Sequence, residues 1–292
     1  MKIATRSSKL ALAQVHLLLD SLDDKNLDFE IKKLVTEGDK KSAEGQNLFD
    51  KAHFVEDIED SLISKEADVA VHSLKDMSAI DRDGLVIFTA IAHPARNDVL
   101  IYRDGVNLKD ISSIHIGTSS LRRKRQCKFF LGNENCTEIR GNIDTRLNKL
   151  HQGEFDAIIL AKAGIERLGL NENYIDLDFL PAVGQGVIAI QCRSDDQKTK
   201  KILSKLKNEE LDQCIEIERY VVRSLNATCS SALSIKANLL SNHFNVDLEI
   251  YGKEAFISKS ISSEKTYQKD ALDKFIDEVL SEGGLELLNE NY

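Results

Sequence analysis

Tryptophan is absent from this 292-residue sequence, proline occurs twice, and aromatic residues make up only 6%. So few ring faces count against a protein that stacks single-stranded bases. With Pro94 and Pro181 alone, linkers cannot be recognised by proline, and a collagen-like chain is excluded. The five cysteines, Cys127, Cys136, Cys192, Cys214 and Cys229, are odd in number and scattered, with no C-x-x-C pair. That argues against a disulfide framework or a zinc site and fits reduced thiols. No metal site is expected. No apolar run approaches the roughly 18–20 residues that span a bilayer. The opening Met1-Lys2-Ile3-Ala4-Thr5-Arg6 has no apolar core or cleavage site of an export signal. A soluble, cytoplasmic protein with no membrane partner is therefore the expectation.

The charge that is present is mostly negative: 48 Asp plus Glu against 39 Lys plus Arg, a net −9. An acidic average speaks against a general nucleic-acid coat but leaves room for a local basic patch. Hydrophobic residues at 42% and charged residues at 30% describe an ordinary globular chain long enough for two or three domains.

Apolar spacing alternates between strand and helix over the first 190 residues. Ile3-Ala4-Thr5 starts a strand, and Leu10, Ala13, Leu17 and Leu18 follow at helical spacing. Asp68 to Val71 reads as a buried strand running into His72-Ser73-Leu74-Lys75-Asp76. Ile114-His115-Ile116 ends at Gly117-Thr118-Ser119-Ser120 and a basic helix, and Ala157 to Ala161 is the most strand-like run. Such alternation predicts an α/β fold of mixed, mostly parallel sheets with helices on both faces. Ligands of such sheets sit beyond the carboxyl ends of the strands. The last third differs. Phe244, Val246, Leu248 and Ile250 alternate strictly, as in a half-solvated antiparallel strand. A small α+β domain is expected there.

Three segments carry chemistry. Gly117 to Arg146 holds seven basic residues against three acidic ones, +4 inside a chain of −9. Its hydroxyls and free N–H groups at a helix start favour anions, and arginine suits carboxylate or phosphate through two parallel hydrogen bonds. A solvated basic face is the bland alternative; Arg140-Gly141-Asn142 after a second strand end favours an anion site. Lys75 and Asp76 at a strand end can act as anion donor and acid/base group, or merely form an exposed turn. Cys229, in Asn226-Ala227-Thr228-Cys229-Ser230-Ser231, is a loop thiol open to nucleophilic chemistry, although most cysteines are small buried hydrophobes. Gly184-Gln185-Gly186-Val187-Ile188-Ala189 matches a loose dinucleotide fingerprint, but it follows no strand and leads into no helix. It reads as a crossing between domains.

In order and spacing, these segments resemble the porphobilinogen deaminase (hydroxymethylbilane synthase) family over nearly the whole chain. The resemblance rests on Ala4-Thr5-Arg6-Ser7-Ser8, Val71-His72-Ser73-Leu74-Lys75-Asp76, Gly117-Thr118-Ser119-Ser120-Leu121-Arg122-Arg123 and Arg140-Gly141-Asn142. It continues through Thr145-Arg146-Leu147, Arg167-Leu168-Gly169-Leu170 and Leu180-Pro181-Ala182-Val183-Gly184-Gln185-Gly186. It implies two domains resembling lobes of type II periplasmic binding proteins, 1–91 with a return segment 190–206 and 92–189, and a third, 207–292, that carries the cofactor cysteine. It further implies a transferase that joins four porphobilinogen units head to tail, releasing ammonia, into hydroxymethylbilane for haem biosynthesis. Its dipyrromethane cofactor would hang by a thioether from Cys229. Asp76 matches the catalytic aspartate. Lys75, Ser73, Ser120, Arg122 and Arg123 match cofactor-binding positions. Arg6, Ser8, Arg140, Arg146, Arg167 and Lys51 match substrate-binding ones. A monomer without nucleic-acid partners is implied.

Two loops depart from the family pattern. A glycine-rich loop ahead of Phe54 is replaced by Phe49-Asp50-Lys51-Ala52-His53, keeping only the lysine. The Gly-Gly-Cys cofactor loop is replaced by Ala227-Thr228-Cys229, removing the backbone freedom of glycine. Three alternatives stay open: a non-catalytic anion-binding module, a nucleic-acid binder using Arg122 to Lys128, and a family member that has lost activity.

Overall fold

The computed structural model describes residues 1–22, 28–36 and 55–290. Lys51 and the altered loop ahead of Phe54 lie outside them. Strand β1 (Lys2–Arg6) leads into helix α1 (Lys9–Leu22), strand β2 (Glu30–Leu34), helix α2 (Glu56–Ile63), and strands β3 (Val69–Ser73) and β4 (Leu85–Ala92). A second unit follows: β5 (Asp98–Tyr102), β6 (Ile116–Gly117), α3 (Leu121–Leu131), β7 (Cys136–Thr137), α4 (Ile143–His151), β8 (Ala157–Ala161), α5 (Lys162–Arg167) and β9 (Tyr174–Leu177). Strand β10 (Val187–Arg193) and helix α6 (Gln197–Leu203) come next. The last part comprises α7 (Glu209–Ser224), β11 (Leu233–Leu240), β12 (His243–Tyr251), β13 (Phe256–Glu264), α8 (Gln268–Ser281) and α9 (Gly284–Asn289).

The first sheet has the order β2-β1-β3-β10-β4 and the second β7-β6-β8-β5-β9. In each, a single strand, β10 or β5, runs against the other four. The two lobes therefore repeat one plan. Strand β10 belongs to the first sheet although it follows the second in sequence. Its residues Val187 to Cys192 are all buried, because it sits between β3 and β4 with both faces covered. The third sheet, β11-β12-β13, is antiparallel. The buried residues of β12 alternate, facing Val221, Phe275 and Val279 of α7 and α8.

The crossing at Gly184 and Gly186 has φ of +61° and +83°, which is glycine territory. At Gly184 a Cβ would meet Leu74 Cγ at 2.7 Å. Glycine there lets the crossing pack directly on the turn that carries Lys75 and Asp76.

A buried polar hub ties the three parts together. Glu218 of α7 is 0% exposed and accepts two bonds from Arg96, at 2.7 and 2.8 Å. It also accepts from the backbone N–H groups of Gly184 and Ala237, at 2.9 and 3.0 Å. A buried carboxylate is tolerable only with such complete hydrogen bonding. Asp98, at the head of β5, is likewise 0% exposed and is held by Arg122, Arg123 and Gln185 at 2.9, 2.7 and 2.9 Å.

Candidate active site

The carboxyl ends of β1, β3, β6 and β8 converge from two sheets on one cleft of about 920 Å³. That is where open α/β sheets bind ligands. β1 delivers Arg6 and the turn after it Ser8. β3 delivers Ser73 and then Lys75 and Asp76 on a short 3₁₀ turn, Leu74–Asp76. Ser120 caps α3, its hydroxyl accepting from the Arg123 N–H. Gln14 of α1 donates to the Ser73 hydroxyl at 2.8 Å, orienting it.

Among the described residues, eight basic ones line the cleft, Arg6, Lys9, Lys75, Arg123, Arg140, Arg146, Lys149 and Arg167. Three acidic ones, Asp76, Glu138 and Asp144, oppose them. Two of those carboxylates are paired at the rim: Glu138 with Arg140 at 2.7 Å and Asp144 with Lys9 at 2.9 Å. The second pair bridges the two lobes.

Arg146 and Arg167 are the telling pair. Both are half-buried, and their hydrogen bonds go to backbone carbonyls, Gly141 O and Gly186 O, each at 2.7 Å. Neither has a carboxylate partner among the described residues. Burial pulls the Arg146 guanidinium down to about 10, with Arg123 and Arg6 adding to the effect and Asp76 and Glu138 opposing it. Burial brings Arg167 down to about 10 as well. Both stay charged at neutral pH, so the cleft holds desolvated cations short of counter-charge. Carboxylates of a ligand can pair with such guanidinium groups.

Arg122 is placed differently from the sequence expectation. Its side chain is 4% exposed and does not line the cleft. Its guanidinium is taken up by Asp98, Gln126, Gln185 and the Leu180 carbonyl. Arg123 does reach the cleft wall while also holding Asp98 and the Ile159 carbonyl. Its Nε is buried without a partner. Arg122 and Asp98 thus form a foundation under Arg123.

Cys229 is the one cysteine of the five that is not fully buried. It opens onto a small cavity of about 10 Å³ beside Leu74 and Met77, which flank Lys75 and Asp76, and beside Val183 of the crossing. The loop does without the expected glycines. Ser231 N donates to Thr228 O at 3.1 Å, and the Ser231 hydroxyl accepts from Thr228 N at 3.0 Å. Only Asn226 adopts a positive φ there, +50°, which asparagine tolerates. Hydroxyl-to-backbone bonds shape the turn instead. The remaining cysteines are buried, and burial raises the Cys192 thiol to about 11.

Sequence reasoning misses Asp98, Glu218, Gln14 and Lys149, reads His72 as a structural histidine and gives Gln185 no role beyond the crossing. Asp98 had a signal, an acidic residue heading the apolar run Val99-Leu100-Ile101. Lys149 had one too, lying one helical turn beyond Arg146. Gln185 and Glu218 become meaningful only once three separate segments meet.

Comparison with known proteins agrees with this geometry. Residues 1–201 match the family model described as porphobilinogen deaminase, dipyromethane cofactor binding domain. Porphobilinogen deaminase of Staphylococcus epidermidis is 41% identical over 236 residues, 78% of this chain and 77% of that protein. The Coxiella burnetii porphobilinogen deaminase is 35% identical over 300 residues, 99% of this chain and 96% of that one. Among solved structures, the periplasmic VFT2 domain of Bordetella pertussis BvgS superposes with a TM-score of 0.43 at 15% identity. It covers 77% of this chain and 92% of that chain. With the family model spanning both lobes and a relative spanning almost the full length, this chain belongs to the porphobilinogen deaminase family.

Proposed function

We propose that this protein condenses four porphobilinogen units head to tail into the linear tetrapyrrole hydroxymethylbilane, releasing one ammonia per unit, as a step of haem biosynthesis. The observation that carries this reading is the cleft itself. Among the described residues, half-buried Arg146 and Arg167 have no carboxylate partner, and the carboxylate Asp76 stands among the cleft's cations. Each porphobilinogen carries two carboxylates, so a growing chain brings two more anions per step. Arg6, Arg140, Arg146 and Arg167 bind them, with Ser8 at the mouth and Lys51 as a further candidate from the loop before Phe54.

The residues present fit a dipyrromethane group. Cys229 is the accessible thiol for its thioether, and Lys75, Ser73, Ser120 and Arg123 are the donors for its carboxylates, with Arg122 bracing Arg123. When bound, that group supplies the pyrrole α-carbon to which the first substrate is joined. Asp76 does the electrostatic work on the substrate. As the C–N bond to the aminomethyl group breaks and ammonia departs, positive charge spreads to the pyrrole nitrogen, and the carboxylate stabilises it. The same carboxylate can accept the ring proton released after the new C–C bond forms. Both lobes and Cys229 come from one chain, so a monomer suffices for this reading. Among the described residues, no helix is long and apolar enough to cross a membrane.

Arg146→Leu tests the carboxylate clamp. The prediction is a fall in product rate of about tenfold or more, the worth of a charge-assisted bond. Protein-bound intermediates one to three porphobilinogen units heavier should accumulate in the intact mass spectrum. Wild-type product rate with no accumulated species contradicts the clamp.

A further inference from the structure

We propose that Lys149 is a further chain-binding residue of the cleft, one helical turn beyond Arg146, whose ammonium pairs with a carboxylate of the growing chain in the later additions. The inference rests on the deaminase reading above and gives a task to a residue that reading leaves idle.

Topology sets the position. Helix α4 carries the chain from β7 to β8, and both strands run parallel to β6. The helix therefore starts at the carboxyl ends of the strands, where ligands bind, and runs back from them. Leu147 and Leu150 of α4 are buried in the core of the lobe, while Thr145, Arg146 and Lys149 line the cleft. Residues three apart share a helix face, so Arg146 and Lys149 form a row. At 1.5 Å per residue, Lys149 lies about 4.5 Å farther along the axis. Helical side chains lean toward the N-terminus, which carries the half-buried Lys149 stem forward to the cleft.

The other cations beside it are engaged. Arg140 pairs with Glu138 and Lys9 with Asp144, and Arg146 donates to the Gly141 carbonyl. Lys149 has no hydrogen-bond or ion-pair partner among the described residues. A carboxylate of a bound chain can supply one. The order of use follows from position. Arg123, Arg6 and Asp76 all act electrostatically on Arg146, so these groups gather where the strands end. A short chain meets that group first. Every addition brings two more carboxylates, and the longer chain extends to the cation one turn beyond. Lysine suits this use, because a point charge on a flexible stem holds a carboxylate less rigidly than the arginine fork, and the chain must move on.

The competing reading is a lysine that serves only its helix, since a cation in the last turn of α4 complements the helix dipole. Intact mass spectrometry of the cofactor-loaded protein, mixed with porphobilinogen and quenched at intervals, separates the two by counting the bound units. Lys149→Met should leave the one- and two-unit species at wild-type levels and accumulate the three- and four-unit species. Its product rate should fall about three- to tenfold, between the worth of an exposed ion pair and that of a charge-assisted bond. Lys149→Arg should restore the wild-type distribution, and Lys149→Glu should stall more completely. Lys198→Met, exposed on α6 and outside the cleft, removes the same charge and should change nothing. A Lys149→Met with the wild-type distribution and rate overturns the inference, even if its urea midpoint falls as the helix reading expects. So does an equal effect in Lys198→Met. A wild-type protein, loaded with its cofactor, that takes up no porphobilinogen overturns the deaminase reading and this inference with it.

Discussion

Asp76→Ala should lose turnover by a factor of about 10²–10⁴, the usual contribution of a positioned acid/base group, while the protein stays folded. The side chain is half-buried on a short turn rather than set in a core, so its removal leaves no large cavity. The role is one of charge. The cleft offers many cations to hold carboxylates, but Glu138 and Asp144 are paired with Arg140 and Lys9 at the rim. On the proposed mechanism Asp76, on the turn at the carboxyl end of β3 in the same cleft, meets the positive charge that develops as ammonia leaves. Asp76→Asn keeps the shape and removes the charge, so it should fall nearly as far as alanine. Single-turnover rates on porphobilinogen, with circular dichroism to verify the fold, decide the matter. A folded Asp76→Asn near wild-type rate would show that shape, not charge, is what the turn supplies.

The largest effect on stability is expected at Asp98, far less conspicuous in the sequence. Burial works to raise its carboxyl, yet Arg122 and Arg123 together hold it well below the usual carboxylate range. Asp98→Ala leaves two buried guanidinium groups without their shared partner. Breaking a buried ion pair from one side costs about 3–5 kcal/mol, a large part of a typical folding stability of about 5–15 kcal/mol. The urea midpoint should fall sharply, and activity should fall with it because Arg123 loses its anchor. A midpoint equal to wild type contradicts this account. The pH dependence has a definite sign. A carboxyl with a depressed folded pKa contributes stability above its unfolded value, about 3.9, and loses it only as pH falls through the lower folded value. Mild acid at pH 5 should therefore leave the hub intact.

Much of this was legible in the sequence, and the reasons are physical. Strand ends show themselves because an apolar run stops and polar residues begin, so Lys75, Asp76, Ser120 and Arg140 are legible at strand ends, and the structure brings them to one cleft. The return of β10 to the first sheet left only a trace, a continuous apolar run after a glycine crossing. Its partners are distant in sequence, and spacing carries no record of them. Arg122 and Arg123 look identical as neighbours on a basic helix. Successive helical residues point about 100° apart, so both touch Asp98, but Arg122 is enclosed with Gln126, Gln185 and the Leu180 carbonyl while Arg123 also reaches the cleft wall. The Cys229 loop misleads in the opposite sense. Missing glycines imply lost freedom, but serine and threonine hydroxyls supply turn bonds that glycine cannot.

The most direct test of the central claim is the intact denatured mass of the purified protein, measured beside Cys229→Ser after both are incubated with porphobilinogen or preformed hydroxymethylbilane. The account predicts a wild-type mass above the polypeptide by two condensed porphobilinogen units and a bare Cys229→Ser. Added mass that persists in Cys229→Ser, or a wild-type protein that stays bare after incubation, contradicts it.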